Sequence, residues 1–228
     1  MNSPLLTEAP PSLLEHHPLG ASTGYMAGHR GNWPRLIEEA SRISSFAVEL
    51  AALGEDEIPD LLSFLASGMP LPFRYLSVHG PSKGRRMPEE ELVARLSELP
   101  GVVDAIVLHP DRIGDPALYV SLGARLVIEN MDARKSSGSY GEELEPLFEE
   151  LPAAGFCFDV AHAWTVDETM AVGEDLLDRF TSRLRHVHLS SISPDLRHVP
   201  LSVEHEKLFA PLLARCRDVP WILEAEPR

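Results

Sequence analysis

Six apolar segments of this chain each end in a side chain that binds metal ions. They are Tyr75-Leu-Ser-Val-His79, Ala105-Ile-Val-Leu-His109, Arg125-Leu-Val-Ile-Glu129, Phe156-Cys-Phe-Asp159 followed by His162, Arg185-His-Val-His188 and Trp221-Ile-Leu-Glu224. Imidazole nitrogen with carboxylate oxygen suits zinc first, with manganese or iron as alternatives, better than calcium or magnesium. Two such metals about 3.5–4 Å apart would clamp the attacking and leaving oxygens of a phosphoester displacement and lower the pKa of a bound water. A single metal would permit a different reaction. Glu129 and Glu224, on opposite sides of a bound ketose, would pass a proton between carbons while the metal polarised the sugar oxygens. These two glutamates are therefore the catalytic candidates.

Recurrence of such endings along the chain implies elements that bring them together. A closed parallel barrel presents its functional groups at the C-terminal ends of its strands. Eight strand patterns can be read: Ala21 to Ala27 (weak), Ser45 to Leu50, Phe73 to His79, Val103 to His109, Arg125 to Asn130, Gly155 to Val160, Leu184 to Leu189 and Val219 to Ala225. Seven helices alternate with them. Asn32 caps one through Arg42, with Pro34 in its first turn. Others run from Glu57 to Leu65, Pro88 to Leu96, Asp115-Pro116 to Gly123, Glu142 to Leu151 and Asp167 to Arg183, and Ser202 caps the last, through Arg215. Apolar strands between helices, with right-handed crossovers, predict an α/β fold, a (β/α)8 barrel lacking the usual final helix. An open doubly wound sheet is the alternative, but no Gly-rich phosphate fingerprint follows the first strand. Residues 1–19 read as an N-terminal extension and residues 20–228 as a single barrel domain.

Of the 228 residues, 44% are hydrophobic and 24% charged, which is ordinary globular usage. The formal net charge of -15 disfavours non-specific attraction to nucleic acid or anionic membranes. No apolar run approaches the roughly 18 residues of a membrane span. The first residues lack a basic segment followed by a long apolar one, so no secretory signal is expected. Cys157 and Cys216 read as buried thiols of a reducing compartment, hence a cytoplasmic protein.

The most specific motifs are Val127-Ile-Glu129-Asn130, Phe158-Asp159-Val-Ala-His162-Ala, His186-Val-His188 and Ile222-Leu-Glu224. With them the chain, from about Thr23 to Glu226, resembles the xylose-isomerase-like TIM barrels, the superfamily of endonuclease IV and many sugar isomerases and epimerases. The resemblance implies a metal held by Glu129, Asp159, His188 and Glu224. Endonuclease IV-like members add two histidines, matched by His79 and His109. By resemblance, His79, His109 and Glu129 hold one metal and Glu129 bridges to a second. A third would use His162 and His198. The chain departs from the pattern there: Leu196 stands at the Asp position, and Asp195 is one residue off. The implied activity is hydrolysis of a phosphoester or similar substrate; the alternative is a sugar or sugar-phosphate isomerase or epimerase. DNA is left open as a substrate but not favoured, and a monomer or homodimer is expected.

Other residues have both functional and bland readings. Glu49 ends the second strand and would bind substrate or form a structural ion pair. Asn130 would fix the substrate or the loop. Arg197 is a substrate-binding candidate, as is Trp164, by stacking, against a packing role. Ser82-Lys-Gly-Arg-Arg86 is a basic loop, suited to a phosphate or simply solvated. His186 is expected to point away from the site. His16, His17, His29 and His205 are expected at the surface.

Overall fold

The structure, a computed structural model, describes Leu14, residues 17–84 and residues 86–227. Most of the expected N-terminal extension, His16 and Arg85 of the basic loop lie outside the described residues. Eight parallel strands close into a barrel: β1 (Leu19–Ser22), β2 (Ala47–Ala51), β3 (Tyr75–His79), β4 (Ala105–Leu108), β5 (Leu126–Glu129), β6 (Gly155–Asp159), β7 (Leu184–Leu189) and β10 (Trp221–Leu223). The strands neighbour one another in chain order, and β10 closes the ring onto β1. Between β7 and β10, β8 (Ser191–Ile192) and β9 (His198–Val199) form a separate antiparallel hairpin. Among the described residues eight helices cover the barrel: α1 (Trp33–Ile43), α2 (Ile58–Ala66), α3 (Glu89–Ser97), α4 (Pro116–Tyr119), α5 (Gly141–Glu150), α6 (Val160–Val166), α7 (Ala171–Phe180) and α8 (Val203–Leu213). The expected barrel is present, and no helix follows β10 among the described residues.

Alternation along the strands sorts the side chains. Ile106, Leu108, Ile128, Phe156 and Phe158 join the large core between the strands and the helices. Ala105, Val107, Val127 and Cys157 form a second, small cluster with Tyr75. These are the inward positions, and two residues further on from Val127 and Cys157 come Glu129 and Asp159. Strand period thus aims the metal-type side chains at the barrel mouth. Gly20 lets the interior stay narrow, because a Cβ there would lie 2.5 Å from Ile222 Cδ1 and 2.7 Å from Ala47 Cβ. Both cysteines are buried free thiols. Among the described residues no helix is long and apolar enough to cross a membrane.

Several elements differ from the sequence reading. β1 starts at Leu19 and ends at Ser22, because the Ser22 hydroxyl accepts the Gly24 N–H and opens a tight turn. The long helix expected from Asp167 to Arg183 is two helices, α6 and α7. Asp167 turns the chain between them, its carboxylate accepting the N–H groups of Thr169 and Val172, and Met170 adopts a left-handed φ of 65°. The hairpin of β8 and β9 occupies a stretch in which the sequence pattern shows no strand. His17 and His205, expected at the surface, are partly buried: His17 stacks on Trp221 at 3.6 Å, and His205 lies 4.5 Å from the Trp164 ring.

Candidate metal centre

Glu129 stands at the centre of the barrel mouth, and each of its oxygens faces different histidines. Oε2 lies 3.2 Å from His79 Nε2 and 3.3 Å from His109 Nε2. Oε1 lies 3.3 Å from Nδ1 of both His162 and His188. His188 Nδ1 is also 3.4 Å from Glu224 Oε1, and His198 Nδ1 is 3.2 Å from Glu224 Oε2. Three sets of donor atoms, each set mutually within 4.8 Å, share these side chains: His79, His109 and Glu129; Glu129, Asp159, His188 and Glu224; Asp159, His162 and His198. A fourth, of Cys157, His186 and His188, lies deeper. The eight ligand candidates of the sequence are therefore together.

Local structure fixes their positions. The Asn130 amide stitches the ends of β5 and β6, donating to the Asp159 carbonyl at 2.9 Å and accepting the Asp159 N–H at 2.8 Å. The side chain thus ties two strand ends together. Asp159 caps α6 with Oδ1, which accepts the His162 N–H at 2.7 Å. Helix α6 therefore starts directly from the strand and places His162 in its first turn. His198 is delivered by the hairpin, with Ser190 Oγ 2.8 Å from its Nδ1. At the hairpin turn Asp195 is exposed and pairs with Arg197 at 2.5 Å, so it supplies no ligand. Leu196, with a φ of 57°, lines the cleft instead.

The donor chemistry fits a divalent cation. Asp159 Oδ2, Glu224 Oε2 and His109 Nδ1 are buried and make no hydrogen bond among the described residues. Burying carboxylates without a compensating charge is costly, and metal coordination removes that cost. Burial alone would raise the Glu129 pKa, but the charges and hydrogen bonds of His188, His109 and His79 hold it well below the carboxylate range. Glu224 goes the other way: burial, then the nearby Asp159 and Glu129 charges, outweigh His188 and raise it well above that range. Burial disfavours charged His188, yet Cys157, Glu49, Glu224 and Glu129 together raise its pKa well above the usual value. His79 is raised against burial by Glu129 and Glu49. His109 is lowered by burial, and His198 is lowered to about 4 for the same reason.

The remaining candidates separate. Glu49 is fully buried behind His188, with Ser22 and Ser77 hydroxyls donating at 3.3 and 3.0 Å, and it does not line the cleft. His186 points inward, contrary to expectation, because residues two apart on a strand share a face. Its Nδ1 lies 2.8 Å from Tyr75 Oη, and burial lowers its pKa to about 3. Trp164 packs on His205 and the core. Arg197 lines the cleft, as do Lys83 of the basic loop and three residues that the sequence does not single out, Asp132, Arg134 and Lys135. The cleft has a volume of about 600 Å³. Its three unforeseen residues lie in the loop that follows Glu129-Asn130, and Arg134 and Lys135 side by side are the signal that could have found them.

Residues 117–227 match the family described as xylose isomerase-like TIM barrel. That segment contains six of the eight ligand candidates; His79 and His109 precede it. Among solved structures, endonuclease IV from Thermus thermophilus is 22% identical over 87% of this chain and 89% of that one, with a TM-score of 0.57. A candidate sugar phosphate isomerase/epimerase from Anabaena variabilis is 14% identical over 92% of this chain and 84% of that one, with a TM-score of 0.52. At these identities the likeness is one of fold. No curated protein matches the chain. The resemblance drawn from the motifs is thus borne out at the level of the superfamily.

Proposed function

We propose that this chain is a metal-dependent hydrolase with a site for more than one divalent cation, acting on a phosphoester or a substrate of similar chemistry in the manner of endonuclease IV. The observation that carries the proposal is Glu129, whose oxygens face His79 and His109 on one side and His188 on the other. Glu129 would thus serve two cation sites, since it belongs to two of the donor sets. His79 and His109 would complete one set, and Asp159, His188 and Glu224 the other, with His162 and His198 beside them. Zinc is the first choice for this donor set, with manganese or iron as alternatives. When bound, two such cations supply charge to the attacking and leaving oxygens of the ester.

The chain's own residues do the rest. Asp159 Oδ2 and Glu224 Oε2, buried and without a hydrogen bond among the described residues, would bind a cation. Asn130 keeps Asp159 beside Glu129, and Glu49 holds His188 from behind. The net charge of -15 speaks against a polyanionic duplex as substrate, so a small phosphoester is preferred to DNA.

One observation favours a second reading, a single-metal sugar or sugar-phosphate isomerase or epimerase. Glu129 and Glu224 come from different strands and both face Nδ1 of His188, at 3.3 and 3.4 Å. Two carboxyl groups so placed could pass a proton between the carbons of a sugar bound between them.

Elemental analysis of the purified protein, followed by assay on bis(4-nitrophenyl) phosphate, tests the proposal. Two or three metals per chain with metal-dependent release of nitrophenol support it. One metal per chain, no hydrolysis and interconversion of ketose epimers would replace it with the second reading.

A further inference from the structure

The floor of the cleft is carboxylate and imidazole, whereas its rim carries Lys83, Arg134, Lys135 and Arg197. Lysine and arginine are not metal ligands here, and their charge opposes the entry of cations. Arg197 is paired with Asp195, Lys135 with Asp111 and one edge of Arg134 with Asp132, but Lys83 and the other edge of Arg134 line the cleft beside a cation-binding floor, an arrangement that suits an anionic ligand.

Arg134 and Lys135 are held by a built turn after β5. Buried Asp132 accepts the Arg134 N–H at 2.8 Å and both its oxygens take Arg134 Nε at 3.0 Å; Arg134 Nη2 bonds it as well. The Lys135 N–H donates to the Asp132 carbonyl at 3.1 Å, and Met131 N–H to Gly138 O at 2.8 Å closes the loop. Ala133 N–H donates to Thr165 Oγ1 at 3.0 Å, which ties the turn to α6. Lys135 Nζ is steadied 2.6 Å from Asp111. Arg134 spends Nε and Nη2 on Asp132, which neutralises that carboxylate and leaves the Nη1 edge of a half-exposed guanidinium for another partner. Lys83 approaches from the loop after β3, where its backbone pairs with Gly54. A cleft of about 600 Å³ suits a small molecule.

We propose that Arg134, Lys135 and Lys83 form a subsite for a second anionic group, carboxylate or phosphate, of a small-molecule substrate whose reacting phosphoester lies over Glu129. The location of the reacting group rests on the hydrolase reading; the subsite does not. The substrate class is then a small metabolite with anionic groups at both ends.

Calorimetric binding to the metal-loaded protein tests this with matched probes. Glycerol 3-phosphate is compared with 3-phosphoglycerate, and sorbitol 6-phosphate with 6-phosphogluconate and sorbitol 1,6-bisphosphate. The carboxylate and bisphosphate arms tell which anion is preferred, and the two chain lengths cover a short and a long span. The second anion should tighten binding about tenfold or more, the equivalent of one charged hydrogen bond. Lys135→Ala and Arg134→Ala should each erase most of that gain with metal content per chain unchanged. Because Arg134→Ala leaves Asp132 unpaired near His162, Lys135→Ala and Lys83→Ala are read independently of it. No gain at either span, no binding of any probe, or a gain that survives in Lys135→Ala and Lys83→Ala overturns the subsite. Tighter binding of a duplex with an abasic site, lost in the same variants, overturns the small-molecule assignment. A wrong metal count with the anion preference intact would instead strike the hydrolase reading.

Discussion

Glu49 Oε2 lies 3.1 Å from Nε2 of His188, while Nδ1 of the same ring faces Glu129 and Glu224 at 3.3 and 3.4 Å. One imidazole thus has a carboxylate behind it and the centre in front. Burial would favour protonated Glu49, but the charge and hydrogen bond of His188, with the His79 charge, lower its pKa to about 2. An ionised Glu49 accepts a hydrogen bond from Nε2–H, so the proton that a cation would displace from this ring is the one on Nδ1. Partners of this kind typically contribute about 10–100-fold to metal affinity. Glu49→Gln keeps the shape and removes the charge, so zinc affinity measured by chelator competition should fall by a factor in that range. Affinity equal to wild type would show that Glu49 merely fills space.

His109→Ala separates the two functional readings. His109 contacts Glu129 through Oε2, the oxygen shared with His79, and belongs to no other donor set among the described residues. Its loss should remove one metal per chain and cut phosphoester hydrolysis by about 100-fold or more, as expected where two cations act together. A single-metal isomerase would lose little. Glu224→Ala should disable either enzyme, and a fully active Glu224 variant would refute both assignments.

The strand ends are legible in the sequence because strand period is short and the barrel repeats it. β7 runs over Leu184–Leu189, the span expected from its pattern, and Glu129, Asp159 and His188 arrive as inward residues of their strands. Helix α6 is not legible as such: Asp159 is both a strand end and a helix cap, so no loop signals the change. The His198 hairpin depends on pairing of only two residues per strand and on a left-handed Leu196, neither of which periodicity registers. His186 is misplaced when it is counted as the alternate of His188, because the two lie on one face. Arg134 and Lys135 escape a periodic reading because a turn held by Asp132 has no period at all.

Asn130 carries a stability prediction. Its amide satisfies both the N–H and the carbonyl of Asp159 in the buried floor. Asn130→Ala strands both groups, which should cost about 2 kcal/mol. For a chain of this size that corresponds to roughly 4–8 °C in Tm. Thermal unfolding of the metal-free protein measures it. Because Asp159 would also lose its register with Glu129, metal content should fall in the same variant. An unchanged Tm would mean that water replaces the amide.

Metal binding should depend steeply on pH, with a sign that the buried groups determine. In the metal-free chain His188, Glu224 and His79 all have raised pKa values, so near neutrality they hold protons that a cation must displace. His109 and His198 are lowered and are already neutral there. Binding is therefore coupled to proton release, and apparent affinity rises with pH until the raised groups have titrated. Zinc titrations in buffers of different ionisation enthalpy, at about pH 6 and about pH 8 on either side of the usual imidazole range, read the protons released. More protons should appear, and affinity should be weaker, at the lower pH. Release of no protons at either pH would mean that His188 and Glu224 lie outside the coordination shell, and the two-cation arrangement around Glu129 would have to be abandoned.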